Sequence, residues 1–218
     1  MAVFRLSSDI IFPNPDFAEE DGLLAVGGDL SAERLVLAYC NGIFPWYNPG
    51  EEILWWCPKP RFIIYPHKIK VSKSMNKIIK RNEFNITFNK EFESVISHCK
   101  KIREDAEGTW ITNEMKEAYI KLHDLGLAMS VEVYKNEELV GGLYGVKIGK
   151  CFFGESMFSK VSNASKAALI YLAERLKNEG FLFIDCQMHN NHLESMGGEF
   201  ISWEVFKNML KEGTVVDN

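Results

Sequence analysis

Residues Phe152 to Lys166, FFGESMFSKVSNASK, decide the fold: they read as an apolar strand running into the start of a long helix. Glu155 sits in that strand between Phe152, Phe153, Met157 and Phe158. A carboxylate there must find partners or keep a proton, because burying it unpaired is costly. That marks a candidate site. After a helix predicted over Ala164 to Lys177 comes a second buried strand, Phe181 to Gln187 (FLFIDCQ), which ends in Asp185 and Gln187. In a mixed α/β sheet, adjacent strand ends beside a helix crossover are where ligands bind.

Working outward, 218 residues with 46% hydrophobic content suffice for a full core, in one large domain or two small ones. No stretch reaches membrane-spanning length without charges, and the N-terminus shows no basic leader before an apolar run. A soluble cytoplasmic protein is expected. Five dispersed cysteines in apolar patterns predict buried thiols rather than a disulfide framework. The net charge of −5 argues against a dedicated nucleic-acid binder, but from Ile53 to Asn82 there is no acid. Lys73, Lys77, Lys80 and Arg81 fall in that window at helical spacing behind a Ser72 cap, a positive face suited to phosphate.

The opening segment, through Gly27-Gly28-Asp29, is rich in turn residues and is expected to wrap with little regular structure. Ser31 caps a helix over Ala32 to Asn41. The aromatic run Phe44, Trp46, Tyr47, Trp55 and Trp56 reads either as a small core or, for Trp46, as a stacking face for a nucleobase. Strands follow at Arg61 to Tyr65 and Phe84 to Phe88, then a helix over Glu91 to Arg103 capped by Asn89. Another helix runs from Thr112 to Gly126. Ala128 to Tyr134 and Glu138 to Lys147 form a hairpin turning at Asn136-Glu137, with Cys151 to Phe158 as the third strand. Ser162 or Asn163 caps the long helix. Short helical stretches at Asn191 to Met196 and Trp203 to Lys211, the latter capped by Ser202, complete the chain.

This order resembles the GNAT acyltransferase fold, in which two parallel strands joined by the long helix splay around the acyl donor. The fold class is therefore α+β: a small N-terminal α/β domain (residues 1–62), then a GNAT-like acyltransferase domain with a mixed sheet (residues 63–218). The loop Ser159 to Ala164 lacks the glycines that let such a fold hold coenzyme A pyrophosphate, which disfavours that donor.

Taken together and in order, GLLAVGGDL (Gly22 to Leu30), GIFPWY (Gly42 to Tyr47), ILWWCPKPR (Ile53 to Arg61), TWIT (Thr109 to Thr112), LVGGLYGV (Leu139 to Val146), FFGESMFS, NASK and DCQ resemble the leucyl/phenylalanyl-tRNA–protein transferases. The resemblance implies transfer of leucine or phenylalanine, with methionine a third candidate, from aminoacyl-tRNA to proteins whose N-terminal residue is arginine or lysine. The product is marked for degradation. It further implies Asp185 and Gln187 as the residues that hold and deprotonate the amine, with Glu155 orienting it or the donor's amine. Asp185 pairing with the acceptor's cation is the alternative. By the same resemblance Leu143, Phe152, Met157, Leu169 and Leu172 form the acyl pocket. Trp46 and Trp110 become the platform for the terminal adenosine, with Tyr39 and Tyr119 near it. Lys73, Lys77, Lys80 and Arg81 become the tRNA contact. No cofactor, metal or membrane is implied, and a monomer is expected. Cys57 and Trp203 depart from the family's common serine and arginine.

Other readings are weaker. Cys186, His189 and His192 spell C-x-x-H-x-x-H, but without a fourth ligand they need not converge on a metal. Gly141 to Gly145 lies within a strand pattern with no helix after it, so it reads as a bulge or close backbone approach rather than a dinucleotide loop. A GNAT-like enzyme with another acyl donor and a catalytically silent binder of N-terminal basic residues are the two rivals.

Overall fold

The computed structural model describes residues 3–104 and 110–214; the acidic loop before Thr109, and Thr109 itself, lie outside the described residues. The first part of the chain forms β1 (Phe4–Leu6), β2 (Leu23–Gly27), α1 (Ala32–Cys40), β3 (Phe44–Pro45) and β4 (Leu54–Trp56). Then come β5 (Arg61–Ile64), α2 (Lys73–Lys80), β6 (Asn85–Phe88), α3 (Phe92–Glu104) and α4 (Asn113–Asp124). The last part comprises β7 (Ala128–Lys135), β8 (Glu138–Ile148), β9 (Cys151–Ser159), α5 (Ala164–Asn178), β10 (Phe183–Asp185), α6 (Asn191–Ser195), β11 (Glu199–Ile201) and α7 (Trp203–Thr214).

Two sheets result. The small one runs β1-β2-β4-β3, so the turn-rich opening segment contributes two strands, contrary to the expectation of little regular structure. Short strands between turns carry no alternation long enough to read, and the pairing supplies what local pattern does not. The large sheet runs β11-β5-β10-β9-β8-β7-β6 and is mixed, with β9 and β10 parallel. This is the GNAT-like arrangement: an antiparallel β7-β8-β9 meander, the crossover helix α5, and β10 beside β9.

The hairpin between β7 and β8 turns through Asn136 and Glu137, whose φ values of 51° and 66° are both left-handed, as a two-residue turn requires. Ser31, Ser72 and Thr112 cap α1, α2 and α4 by accepting from the backbone N–H three residues on. Two expected caps differ. Asn89 accepts from the Ser130 N–H instead, and the buried Glu132 carboxylate takes the N–H groups of Lys90 and Glu91 ahead of α3. An acid there also suits the helix dipole. Asn163 stands at the start of α5 with φ 73° and no side-chain cap bond, while Ser159 Oγ accepts from the Ser165 N–H.

Alternation along the large sheet separates two cores. Met129, Val131, Val133, Leu143 and Phe152 pack under α5, whose Leu169, Leu172 and Leu176 are buried. Each such leucine contributes about 1.5–3 kcal/mol relative to exposure. Tyr144, Val146, Phe153 and Phe183 face α1, α3, α4 and α7. The glycines of β8 serve close approach: a Cβ on Gly141 would stand 2.5 Å from that of Ala164, and one on Gly145 would meet the Phe152 ring. The cysteines are all free thiols.

One irregularity positions the site. Tyr144 pairs with Ser156 and Gly145 with Gly154, which leaves Glu155 as the extra residue of a β-bulge in β9. The extra residue inverts the alternation, so that Phe152 and Met157, five apart, both belong to the α5 side while Phe153 and Phe158 belong to the other.

Candidate active site

β10 pairs with β9 only from Phe183 to Asp185, opposite Cys151 to Phe153. The strand is thus shorter than the predicted Phe181 to Gln187, and beyond Asp185 the two strands part. Their ends open onto a cavity of about 400 Å³. Gly154, Glu155 and Ser156 line it from β9, and Cys186, Gln187 and Met188 follow from β10. Leu143, Phe152, Met157, Leu169 and Leu172 all face it, so the five residues expected of an acyl pocket share one apolar wall. Trp46 and Trp110 line it as well. Trp46 is 38% exposed and is held from behind by Trp56, whose indole N–H donates to the Trp46 carbonyl at 2.7 Å while the rings lie 5.8 Å apart.

Glu155 is partly buried and meets two phenols. Tyr39 from α1 donates to Oε1 at 2.8 Å and Tyr119 from α4 to Oε2 at 2.9 Å, while the phenol oxygens themselves are 2.5 Å apart. Three oxygen pairs need three protons, and two phenols supply two. The third is available when Glu155 is a carboxylic acid that donates to one phenol, which then donates to the other, while the second phenol donates back to the remaining carboxyl oxygen. Burial accordingly pushes Glu155 up to about 7, against the lowering effect of the phenol bonds. Burial also raises both tyrosines well above the usual phenol range, with the nearby Glu155 charge acting in the same direction. Tyr39 and Tyr119 therefore turn their hydroxyls to Glu155 and lie behind the cavity wall; they are 1% and 0% exposed.

Asp185 also lies behind the wall. Its carboxylate accepts from Arg61 Nε at 2.9 Å and Nη2 at 2.7 Å, and both side chains are closed to solvent. The Arg61 guanidinium is sandwiched between the rings of Phe44 (5.2 Å) and Phe206 of α7 (4.8 Å). Asp185 Oδ1 further accepts from the Gln187 backbone N–H at 2.9 Å, fixing that residue at φ 57°, a left-handed conformation that costs a non-glycine residue energy. Gln187 is thereby held at the cavity edge.

Sequence reasoning missed Arg61. The signal was one basic residue leading an apolar strand (RFIIY) in a chain whose other buried strand carries one acid (FLFID). α7 is tied down in turn: Asp16 of the opening segment accepts from the Trp203 indole N–H at 2.5 Å, and Lys207 lies 3.4 Å from the same carboxylate. Lys73, Lys77, Lys80 and Arg81 stand exposed along and just after α2, away from the cavity lining. His189 of the C-x-x-H-x-x-H pattern meets Glu194, and among the described residues no group of three His, Cys, Asp or Glu is placed to hold a metal ion. No helix of the described residues is long and apolar enough to cross a membrane.

Comparison with known proteins agrees with this geometry. The family model described as leucyl/phenylalanyl-tRNA protein transferase matches residues 63–211, and the model for the N-terminal domain of that family matches residues 28–59. The chain is 54% identical over 213 residues to the leucyl/phenylalanyl-tRNA–protein transferase of Syntrophus aciditrophicus (strain SB), covering 97% of this chain and 89% of that protein. It is 54% identical over 210 residues to the protein of the same name from Flavobacterium johnsoniae, covering 96% and 99%. With that identity along almost its whole length, the chain belongs to the leucyl/phenylalanyl-tRNA–protein transferase family.

Proposed function

We propose that the protein moves leucine or phenylalanine, and also methionine, from aminoacyl-tRNA to the α-amine of proteins beginning with arginine or lysine, marking them for degradation. The observation that carries this reading is the cavity between the parted ends of β9 and β10. It combines a closed apolar wall, two indoles at one side, and Glu155 and Gln187 at the strand ends. The donor's side chain fits against Leu143, Phe152, Met157, Leu169 and Leu172, where methionine is a wall adaptable to both leucine and phenylalanine. The terminal adenosine stacks on Trp46 and Trp110. Lys73, Lys77, Lys80 and Arg81 attract the acceptor-stem phosphates from outside the cavity.

In the reaction the amine nitrogen attacks the ester carbonyl carbon, a C–N bond forms, and the C–O bond to the ribose breaks. The amine gives up a proton and the ribose oxygen gains one. With an α-amine pKa of about 7.7 to 8.0, part of the nucleophile is neutral at pH 7, so positioning carries most of the catalysis. Glu155, poised near 7, accepts the amine's proton and returns its two phenols to a fully bonded ring. Gln187 orients the amine, and Asp185 acts through Gln187 as a positioning residue. No cofactor enters. The protein acts as a cytoplasmic monomer, and its division into a small N-terminal unit and an acyltransferase unit belongs to the same reading. The boundary falls just ahead of β5 rather than within it at residues 62 and 63, because β5 pairs with β10 and β11 in the large sheet.

The test mixes the protein with labelled Leu-tRNA or Phe-tRNA and peptides beginning with Arg, Lys or Ala. Label reaching the Arg and Lys peptides alone is expected. Absence of transfer from intact aminoacyl-tRNA would sink the reading.

A further inference from the structure

The mouth of the cavity carries a flat aromatic surface beside an open carboxylate. His189 lines the cavity, and its ring stacks on Phe200 with centroids 5.7 Å apart and planes 20° from parallel. Phe62 stands edge-on to both, at 5.2 and 5.0 Å. His189 Nε2 lies 2.9 Å from Glu194, whose side chain is 61% exposed. Met188, 48% exposed, and Phe200, 53% exposed, complete an apolar rim.

Four acids border this region, and three are committed elsewhere. Asp185 is closed by Arg61, both Glu155 oxygens accept from phenols, and Glu199 pairs with Lys68 at 2.9 Å. Of the four, Glu194 keeps an open carboxylate with a histidine as its neighbour rather than a lysine or arginine. An arginine or lysine side chain is a run of methylenes ending in a cation. Met188 suits the methylenes, the ring surface suits a guanidinium or ammonium lying over it, and Glu194 suits the charge.

We propose that Glu194, with the His189–Phe200 surface, forms the subsite that takes the side-chain cation of the acceptor's first residue. The proposal rests on the transfer reading above and assigns acceptor specificity to residues outside the cavity's catalytic edge.

The test measures transfer from Phe-tRNA to three peptides that differ only in a first residue of Arg, Lys or norleucine, the last being a neutral analogue of lysine. Glu194→Gln is expected to raise KM for the Arg and Lys peptides about tenfold, leaving kcat and the KM for Phe-tRNA unchanged. Glu194→Lys raises it further, and Glu194→Asp restores most of the loss. The unchanged donor KM shows that the variants are folded. An acceptor KM within twofold of the parent protein's in both Glu194→Gln and Glu194→Lys would overturn the subsite, as would a loss confined to kcat. If the parent protein transfers to no peptide, the reaction assignment falls and the subsite falls with it.

Discussion

Replacing Arg61 by methionine removes the guanidinium and keeps most of the side chain's volume. Asp185 is then left fully buried with no cation beside it, since the pair it loses is bidentate and closed to solvent on both sides. Breaking such a pair from one side costs roughly 3–5 kcal/mol. That is a large part of a domain's total stability of about 5–15 kcal/mol. The double variant Arg61→Met with Asp185→Leu removes both charges, and an apolar replacement of similar volume is close to neutral. It should recover most of the lost stability. Activity should not return with it, because the Gln187 N–H has lost its acceptor and nothing holds the left-handed turn. A lost bond of about 1–3 kcal/mol predicts a fall in kcat/KM of roughly 5- to 150-fold. Urea unfolding followed by tryptophan fluorescence reads the first quantity, and single-turnover transfer from Phe-tRNA reads the second. A single variant within about 1 kcal/mol of the parent, or a double variant with full activity, would refute the reasoning.

Other outcomes follow from the same geometry. With Glu155 pushed up to about 7 by burial and proposed to act as the carboxylate, kcat/KM should climb as pH rises through that value, and Glu155→Gln should lose this limb while keeping the one near 7.7 to 8.0 that belongs to the substrate amine. Because its folded pKa lies above the usual carboxylate value, the stability Glu155 contributes is full below about pH 4.5 and lost as pH rises through about 7; Glu155→Gln should therefore gain on the parent in urea midpoints taken from pH 5 to 8. Trp46→Ala removes one stacking face and should raise the KM for aminoacyl-tRNA by an amount equivalent to about 1–3 kcal/mol, with the acceptor KM unchanged. Neutralising Lys73, Lys77, Lys80 and Arg81 together should flatten the plot of log affinity for tRNA against log salt by about 3, and leave transfer from aminoacyl-adenosine, which has no stem, unaffected.

Much of this architecture is legible in the residues because it is local. Ser31, Ser72 and Thr112 announce their helices by chemistry confined to one turn, and Asn136-Glu137 announces the hairpin in the same way. What the chain does not announce are partnerships across long separations. Nothing near Phe4 foretells its pairing with Ala25, and Arg61 meets Asp185 across 124 residues. The cap of α3 differs from the expected Asn89 for the same reason: Glu132, a strand away, supplies what Asn89 does not. The five residues proposed for the acyl pocket are visible in the sequence as apolar residues, but only the resemblance to a family separates them from ordinary core. The arrangement of Tyr39 and Tyr119 around Glu155 joins α1, α4 and β9, and no spacing in the chain encodes it.

The bulge at Glu155 sets how the segment can vary under mutation. Deleting any one residue between Gly154 and Ser156 would restore a regular strand and leave its composition nearly intact. The pairing of Leu143 with Met157 and of Gly142 with Phe158 would survive, so both side chains would keep their faces, but the bulged position would vanish and Glu155 would be lost or moved to a regular place opposite Gly145 or Tyr144. A substitution here alters one contact, whereas a loss of length removes the position that aims Glu155 at Tyr39 and Tyr119. In a library covering this strand, single-codon deletions should be uniformly inactive even where conservative substitutions on either side retain transfer, so the spacing is inherited more strictly than the letters.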